Sequence, residues 1–65
     1  ENRGVPKIGN NVYIGANVVI AGNITVENNV LIGPCSLVNT DVLVNSVMLG
    51  VPAIKISEKG SEGYV

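Results

Sequence analysis

The sequence predicts an all-β protein whose short parallel strands wind into a β-helix of about 18 residues per coil. The 65-residue chain is rich in strand-forming residues, with 12 valines and 7 isoleucines, and β-branched side chains favour strands over helices. Apolar residues recur at every sixth position, whereas helical periodicity is absent and simple alternation fails after a few residues. Asparagine, present nine times, follows the same six-residue period over much of the chain.

The repeat begins at Ile8 and continues for six units without an insertion. Its first position is always β-branched, in Ile8, Ile14, Ile20, Val26, Ile32 and Val38. Its fifth position is aliphatic with one exception, in Val12, Val18, Ile24, Val30, Ser36 and Val42. Both positions are predicted to face a dry interior. We interpret Ser36 as a small interior filler, because the chain contains no base that would activate it as a nucleophile.

The fourth position of the repeat predicts a corner of the coil. It is occupied by Asn11, Asn17, Asn23, Asn29, Cys35 and Asp41. Asparagine tolerates the left-handed backbone conformation that such corners need, and we interpret Cys35 as a small corner residue rather than a reactive thiol. Three strands and three corners close a triangle of about 18 residues, so residues that far apart should stack, as Ile8 on Val26.

The repeat also divides the chain into segments. We predict an N-terminal segment over 1–7, six hexapeptide repeats over 8–43, a terminal cap over 44–56, and a polar, flexible tail over 57–65. Gly50 and Pro52 are predicted to end strand pairing within the cap. Nothing resembling a cap precedes Ile8, and the chain does not begin with methionine. We therefore expect it to be a fragment preceded by further coils.

Composition argues against several partners. Four basic and five acidic residues give a net charge of −1, and neither a basic stripe nor an aromatic platform is present for nucleic acid. No apolar run approaches the roughly 20 residues of a membrane span. One cysteine and no histidine exclude an internal disulfide and a Cys/His zinc cluster. A lone cysteine fits the reducing cytoplasm, where we expect the protein to reside.

The repeat resembles that of the hexapeptide-repeat acyltransferases, which fold as left-handed parallel β-helices. The similarity covers residues 3–56 and extends to the C-terminal part of serine-acetyltransferase-like and capsular-polysaccharide acetyltransferases. The segments that carry it are Pro6-Lys7-Ile8-Gly9, Ile14-Gly15-Ala16, Gly22-Asn23-Ile24, Ile32-Gly33, Asp41-Val42 and Gly50-Val51-Pro52-Ala53. The last segment is typical of members that use acetyl-CoA.

The resemblance implies a homotrimeric enzyme that transfers an acetyl group from acetyl-CoA to a small hydroxyl acceptor. Members of this family use a histidine general base, which is expected upstream because this chain has none. The 65 residues alone are therefore expected to be inactive. Val5 stands where serine acetyltransferases have a histidine, so the acceptor is either serine or a sugar hydroxyl.

The resemblance also implies residues that contact acetyl-CoA. Ala16 matches the alanine whose backbone approaches the pantetheine arm. Pro34 occupies the equivalent corner one coil later, Pro52 lies near the adenine end, and Lys55 matches, one position late, a basic residue that follows the Gly-Val-Pro-Ala segment. No catalytic residue and no metal ligand is assigned. Tyr13, in an outward-facing column, is a candidate trimer contact.

An alternative function stays open. A β-helix without histidine is also compatible with a non-catalytic trimerisation or scaffold module. A binding titration with acetyl-CoA distinguishes the enzyme from the scaffold, because a scaffold is expected to show no saturable binding.

Overall fold

The computed structural model describes residues 5–63. The first four residues of the predicted N-terminal segment and the last two of the predicted tail lie outside the described part. The described part contains eight strands in chain order, β1 to β8: Lys7–Ile8, Tyr13–Ile14, Val19–Ile20, Thr25–Val26, Leu31–Ile32, Leu37–Val38, Val47–Gly50 and Ala53–Ser57. They form three sheets, β1-β4, β2-β5-β7-β8 and β3-β6. Every pairing is parallel except that of β7 with β8, so the chain forms the predicted β-helix.

The first two coils stack in the predicted register. Ile8 pairs with Val26, and Ile14 pairs with Ile32; each pair lies 18 positions apart. Backbone hydrogen bonds join the coils at ordinary distances, for example 2.8 Å from the Gly9 N–H to the Val26 carbonyl. The spacing of β-branched residues thus predicted which residues lie above one another.

The second coil, which begins at Val26, is shorter than the sequence predicted. Val26 bridges to Val42 and Ile32 pairs with Met48, each 16 positions on. The assignment of Val42 to the fifth column was therefore wrong, because Val42 stacks in the first. The side chain of Asp41 makes the shorter corner possible: the Thr25 N–H donates to its carboxylate at 2.8 Å, whereas the equivalent N–H one coil earlier donates to a backbone carbonyl.

The left-handed corners follow the predicted asparagine column in part. Positive φ angles occur at Asn11, Asn17, Asn29 and Cys35, as predicted. Asn23 was wrongly assigned, because Gly22 takes the positive φ at that corner (101°), and Asp41 has no positive φ. Asn45 adopts a φ of 64° although it lies outside the six-residue frame, because the shortened coil moves it to the corner above Asn29.

The interior is aliphatic and closes toward the C-terminal end. Its fully buried members are Val26, Val30, Ile32, Val38 and Val42, with Ile24 and Met48 nearly so. Ser36, predicted to be an interior filler, is 2% exposed. At the other end the first coil is open: Ile8 and Ile14 are each 43% exposed, although the residues stacked on them are completely buried.

The last two strands form a hairpin that contradicts one prediction. Gly50 and Pro52 were predicted to end strand pairing, yet Gly50 pairs with Ala53 and β8 returns antiparallel to β7. The positive φ of Gly50 (111°) and the Val51–Pro52 turn, whose peptide bond is cis, reverse the chain instead of releasing it. Residues 58–63 then cross the corner formed by Asn11, Asn29 and Asn45, with Gly60 and Ser61 buried.

Candidate functional site

The candidate site lies at the edge where three parallel strands of the central sheet end. Strands β2, β5 and β7 run in the same direction, side by side. The segments that follow them begin at Gly15, Gly33 and Val51. Because the carboxyl ends of parallel strands meet at one edge, the structure brings Ala16, Pro34 and Pro52 to the same side of the molecule.

The two lower corners of this edge are packed directly on each other. The Cys35 N–H donates to the Ala16 carbonyl at 2.9 Å, which ties the second corner to the first. A methyl group placed on Gly15 would lie 2.8 Å from the nitrogen of Pro34, closer than real contacts allow. Gly15 is thus required by close backbone approach, while Ala16 and Pro34 face outward and are exposed.

The turn after β7 forms the third part of the edge. The Gly50 N–H donates to Ser36 Oγ at 3.2 Å, which joins the start of the turn to the residue just before β6. The side chain of Leu49 covers the face of Gly33. Proline at position 34 has no N–H to offer a ligand, so backbone donors at this edge come from other residues.

Lys55 is not brought to this edge. It lies in the middle of β8, opposite Met48, and its ammonium group contacts the Glu58 carboxylate at 3.1 Å. Both side chains are largely exposed, 41% and 78%, so the pair contributes little to stability. Lys55 also lines a small hollow of about 160 Å³ over the C-terminal end of the interior, together with Asp41 and Met48.

Apolar side chains around the turn lie beside this edge, although no sequence motif pointed to them. Leu49, Val51 and Ile54 are 43%, 70% and 63% exposed. Leu49 and Ile54 are paired across the hairpin, so they lie on one face beside the edge. The sequence shows that these residues are aliphatic and near the Gly-Val-Pro-Ala segment, but their exposure and their place beside Gly33 depend on the fold.

A separate polar groove of about 720 Å³ lies at the opposite ends of the same strands. One wall is the column of stacked asparagines and the other is the chain after β8. The lining residues are Asn11, Asn29, Asn45, Glu58, Lys59, Ser61 and Glu62. None of the four residues assigned to acetyl-CoA lines it. The groove is therefore a feature of the tail rather than of the predicted cofactor site.

The described residues add two further observations. No three His, Cys, Asp or Glu side chains within residues 5–63 converge as metal ligands. The part of the chain that the structure describes also contains no helix that is long and apolar enough to cross a membrane. Cys35 is an exposed free thiol at a left-handed corner, with a φ of 59°, in agreement with its interpretation as a corner residue.

Several solved structures that match this chain are acetyltransferases. The serine acetyltransferase of Neisseria gonorrhoeae is 42% identical, with a TM-score of 0.84 over 88% of this chain and 22% of its own. A galactoside acetyltransferase in complex with coenzyme A is also 42% identical, with a TM-score of 0.81 over 88% of this chain and 28% of its own. A hexapeptide-repeat acetyltransferase from Vibrio cholerae O1 biovar eltor, complexed with acetyl coenzyme A, is 33% identical. Its TM-score is 0.78 over 80% of this chain and 28% of its own.

The chain thus spans about a quarter of the length of these proteins. No protein of curated function matches the sequence significantly. The sequence pattern described as bacterial transferase hexapeptide (six repeats) matches residues 6–40, which is more than half of the chain. The chain therefore belongs to the bacterial transferase hexapeptide family, the hexapeptide-repeat acyltransferases, and folds as their left-handed parallel β-helix.

Proposed function

We propose that these residues form part of an acetyl-CoA-dependent O-acetyltransferase and contribute one wall of its cofactor site. The observation that carries the proposal is the edge at which Ala16, Pro34 and the Val51–Pro52 turn follow three parallel strands. Two relatives of this fold are complexed with coenzyme A or acetyl coenzyme A, which supports the choice of ligand. Apolar side chains at Leu49 and Val51 offer surface for its pantetheine arm.

The proposed reaction transfers an acetyl group from sulfur to oxygen. The acceptor oxygen attacks the thioester carbonyl, a C–O bond forms, the C–S bond breaks, and the acceptor proton ends on the coenzyme A sulfur. A histidine carries that proton as general base. Since this chain contains no histidine, the base belongs to a part of the protein outside these residues, and the 65 residues alone are inactive.

The acceptor is proposed to be a small molecule with a hydroxyl group. Relatives include a serine acetyltransferase and a galactoside acetyltransferase, so serine and sugar hydroxyls are both supported. Val5 is an apolar residue, 52% exposed, where serine acetyltransferases of the family have a histidine. A comparison of rates with serine and with simple glycosides decides between the two acceptors.

We also propose that the protein is a cytoplasmic homotrimer. The outward-facing column of the coils is largely apolar, and Val19 is 55% exposed. Tyr13 lies in the same column, and residues of this kind suit a subunit interface. The single cysteine, which is a free thiol, is compatible with a reducing compartment.

The proposal is tested by blocking the edge with a bulky side chain. In the full-length protein, Ala16→Trp is expected to weaken acetyl-CoA binding by about tenfold or more, because an indole would occupy the ligand's path. Ala21→Trp is the control: Ala21 is another exposed alanine, the first residue after β3, and it lies at a different corner. Isothermal titration calorimetry measures both affinities, and equal binding by the two variants contradicts the proposed site.

The alternative is a non-catalytic trimerisation or scaffold module. It is favoured by the absence of histidine from the chain. The same titration separates the two functions, because the scaffold predicts no saturable binding of acetyl-CoA to the unmodified full-length protein.

A further inference from the structure

One buried serine, Ser61, connects the segment after β8 to the coils by hydrogen bonds. The Ser61 hydroxyl donates to the Asn11 carbonyl at 2.5 Å, and the Ser61 N–H donates to the Asn29 carbonyl at 3.2 Å. Ser61 is only 2% exposed. These bonds join the last described residues to the first two coils across a sequence separation of up to 50 positions.

Gly60 completes the attachment by close backbone approach. Its φ is +64°, and a methyl group placed on it would collide with the Asn29 carbonyl oxygen and lie 3.1 Å from the Cα of Asn45. Asn45 belongs to the third coil, so Gly60 and Ser61 together contact all three coils at one corner. We call this pair of residues the clasp.

The clasp lies beside the end of the final hairpin that no turn closes. At one end of the hairpin, the Val51–Pro52 turn connects β7 to β8 covalently and holds the two strands together. At the opposite end Ser57 pairs with Val47 across a register irregularity. β8 is the edge strand of the four-stranded sheet and pairs with β7 alone, so contacts of the clasp add to the attachment of its open end. The Lys59 N–H donates to Ser57 Oγ at 3.1 Å, which links the end of β8 to the clasp.

We propose that the clasp is a conformational lock that keeps β8 on the edge of the β-helix. When it is closed, β8 covers the hydrogen-bonding edge of β7. When it opens, β8 separates from its open end, and the uncovered edge of β7 becomes available for pairing with another strand. The lock depends on the absence of a side chain at Gly60 and on the hydroxyl of Ser61.

Hydrogen exchange of the full-length protein tests the lock. Gly60→Ala removes the space for the close approach, and exchange of the amides in Ala53–Ser57 is expected to become about tenfold faster or more. Ser61→Ala is the milder variant. Because it removes one hydrogen bond, the exchange rate of the same amides is expected to rise about threefold to tenfold. Glu62→Ala is the control, because Glu62 is the exposed neighbour of Ser61 and should leave exchange unchanged.

The effect is specific to β8 if the amide hydrogen exchange rates of β3 and β6 stay constant in both variants. Those strands form a separate sheet, and the amides of Val19 and Ala21 report on it through their bonds to the next coil. Unchanged exchange in β8 for both variants overturns the lock. Equal acceleration of β8 and of the Val19 and Ala21 amides also overturns it, because the clasp would then support the whole β-helix rather than one strand.

Discussion

Individual corner residues set the backbone geometry of this β-helix. Within residues 5–63, five residues other than glycine have positive φ angles between 58° and 64°: Asn11, Asn17, Asn29, Cys35 and Asn45. Asparagine accepts this conformation at a lower cost than most residues with a Cβ atom. The Asn11 side chain also donates to the Asn29 side chain at 3.3 Å, so the column combines backbone tolerance with stacking between coils.

At the residue scale, we predict that Asn17→Ala lowers the free energy of unfolding by about 1–2 kcal/mol, because alanine is strained at the φ of 60° found there. Asn17→Gly should restore most of the loss. Asn23→Ala is the matched control, since Asn23 belongs to the same sequence column without a positive φ and should change stability by less than about 0.5 kcal/mol. Chemical denaturation of the full-length protein measures all three, and equal losses for Asn17→Ala and Asn23→Ala contradict the prediction.

At the scale of the elements, neighbouring coils approach each other most closely where a glycine of one coil packs against the backbone of the next. A methyl group on Gly15 would lie 2.8 Å from the nitrogen and 2.9 Å from the Cα of Pro34. A methyl group on Gly33 would instead meet the Cδ1 atom of Leu49. Backbone has little freedom to move, whereas the end of a leucine side chain can rotate away. The two glycines therefore have different structural roles despite their equivalent sequence positions.

At the element scale, we expect Gly15→Ala to destabilise the protein by about 1–3 kcal/mol through overpacking of the two corners. Gly33→Ala should cost less, because Leu49 can adjust its side chain. Thermal unfolding of the two variants gives the comparison. A larger loss for Gly33→Ala than for Gly15→Ala would show that the corner contact does not limit the spacing of the coils.

The molecule as a whole is closed at one end and open at the other. Val42 and Met48 are 1% and 6% exposed beneath the final hairpin. Ile8 and Ile14, in the same inward column, remain 43% exposed. Repeat proteins gain stability from contacts between neighbouring units, and the first coil has such a contact on only one side within the described residues.

At the scale of the whole molecule, we predict that the isolated 65 residues do not form a stable monomer. Too little apolar surface is buried by a chain of this size to offset its conformational entropy without support from other units. Analytical ultracentrifugation combined with thermal unfolding tests this. A monomer that unfolds cooperatively would be the contrary result.

Much of the fold was predictable because the repeat is local. Each strand and corner is encoded within six residues, so the pairing of Ile8 with Val26 followed from the period alone. The site was predictable only in part. Ala16 and Pro34 occupy equivalent positions of the repeat, which placed them together. Lys55 was assigned with them by resemblance, but the antiparallel return of β8 carries it away from their edge.

The sequence by itself determined the β-helix, its inward columns and most of its corners, because β-branched residues and asparagine have intrinsic backbone preferences. Only the tertiary structure decided that the second coil is two residues shorter and that Ser61 attaches the segment after β8 to the coils. The physical reason is the same in each case. These features depend on contacts between residues distant in sequence, such as the Asp41 carboxylate with the Thr25 N–H, and no local pattern encodes them.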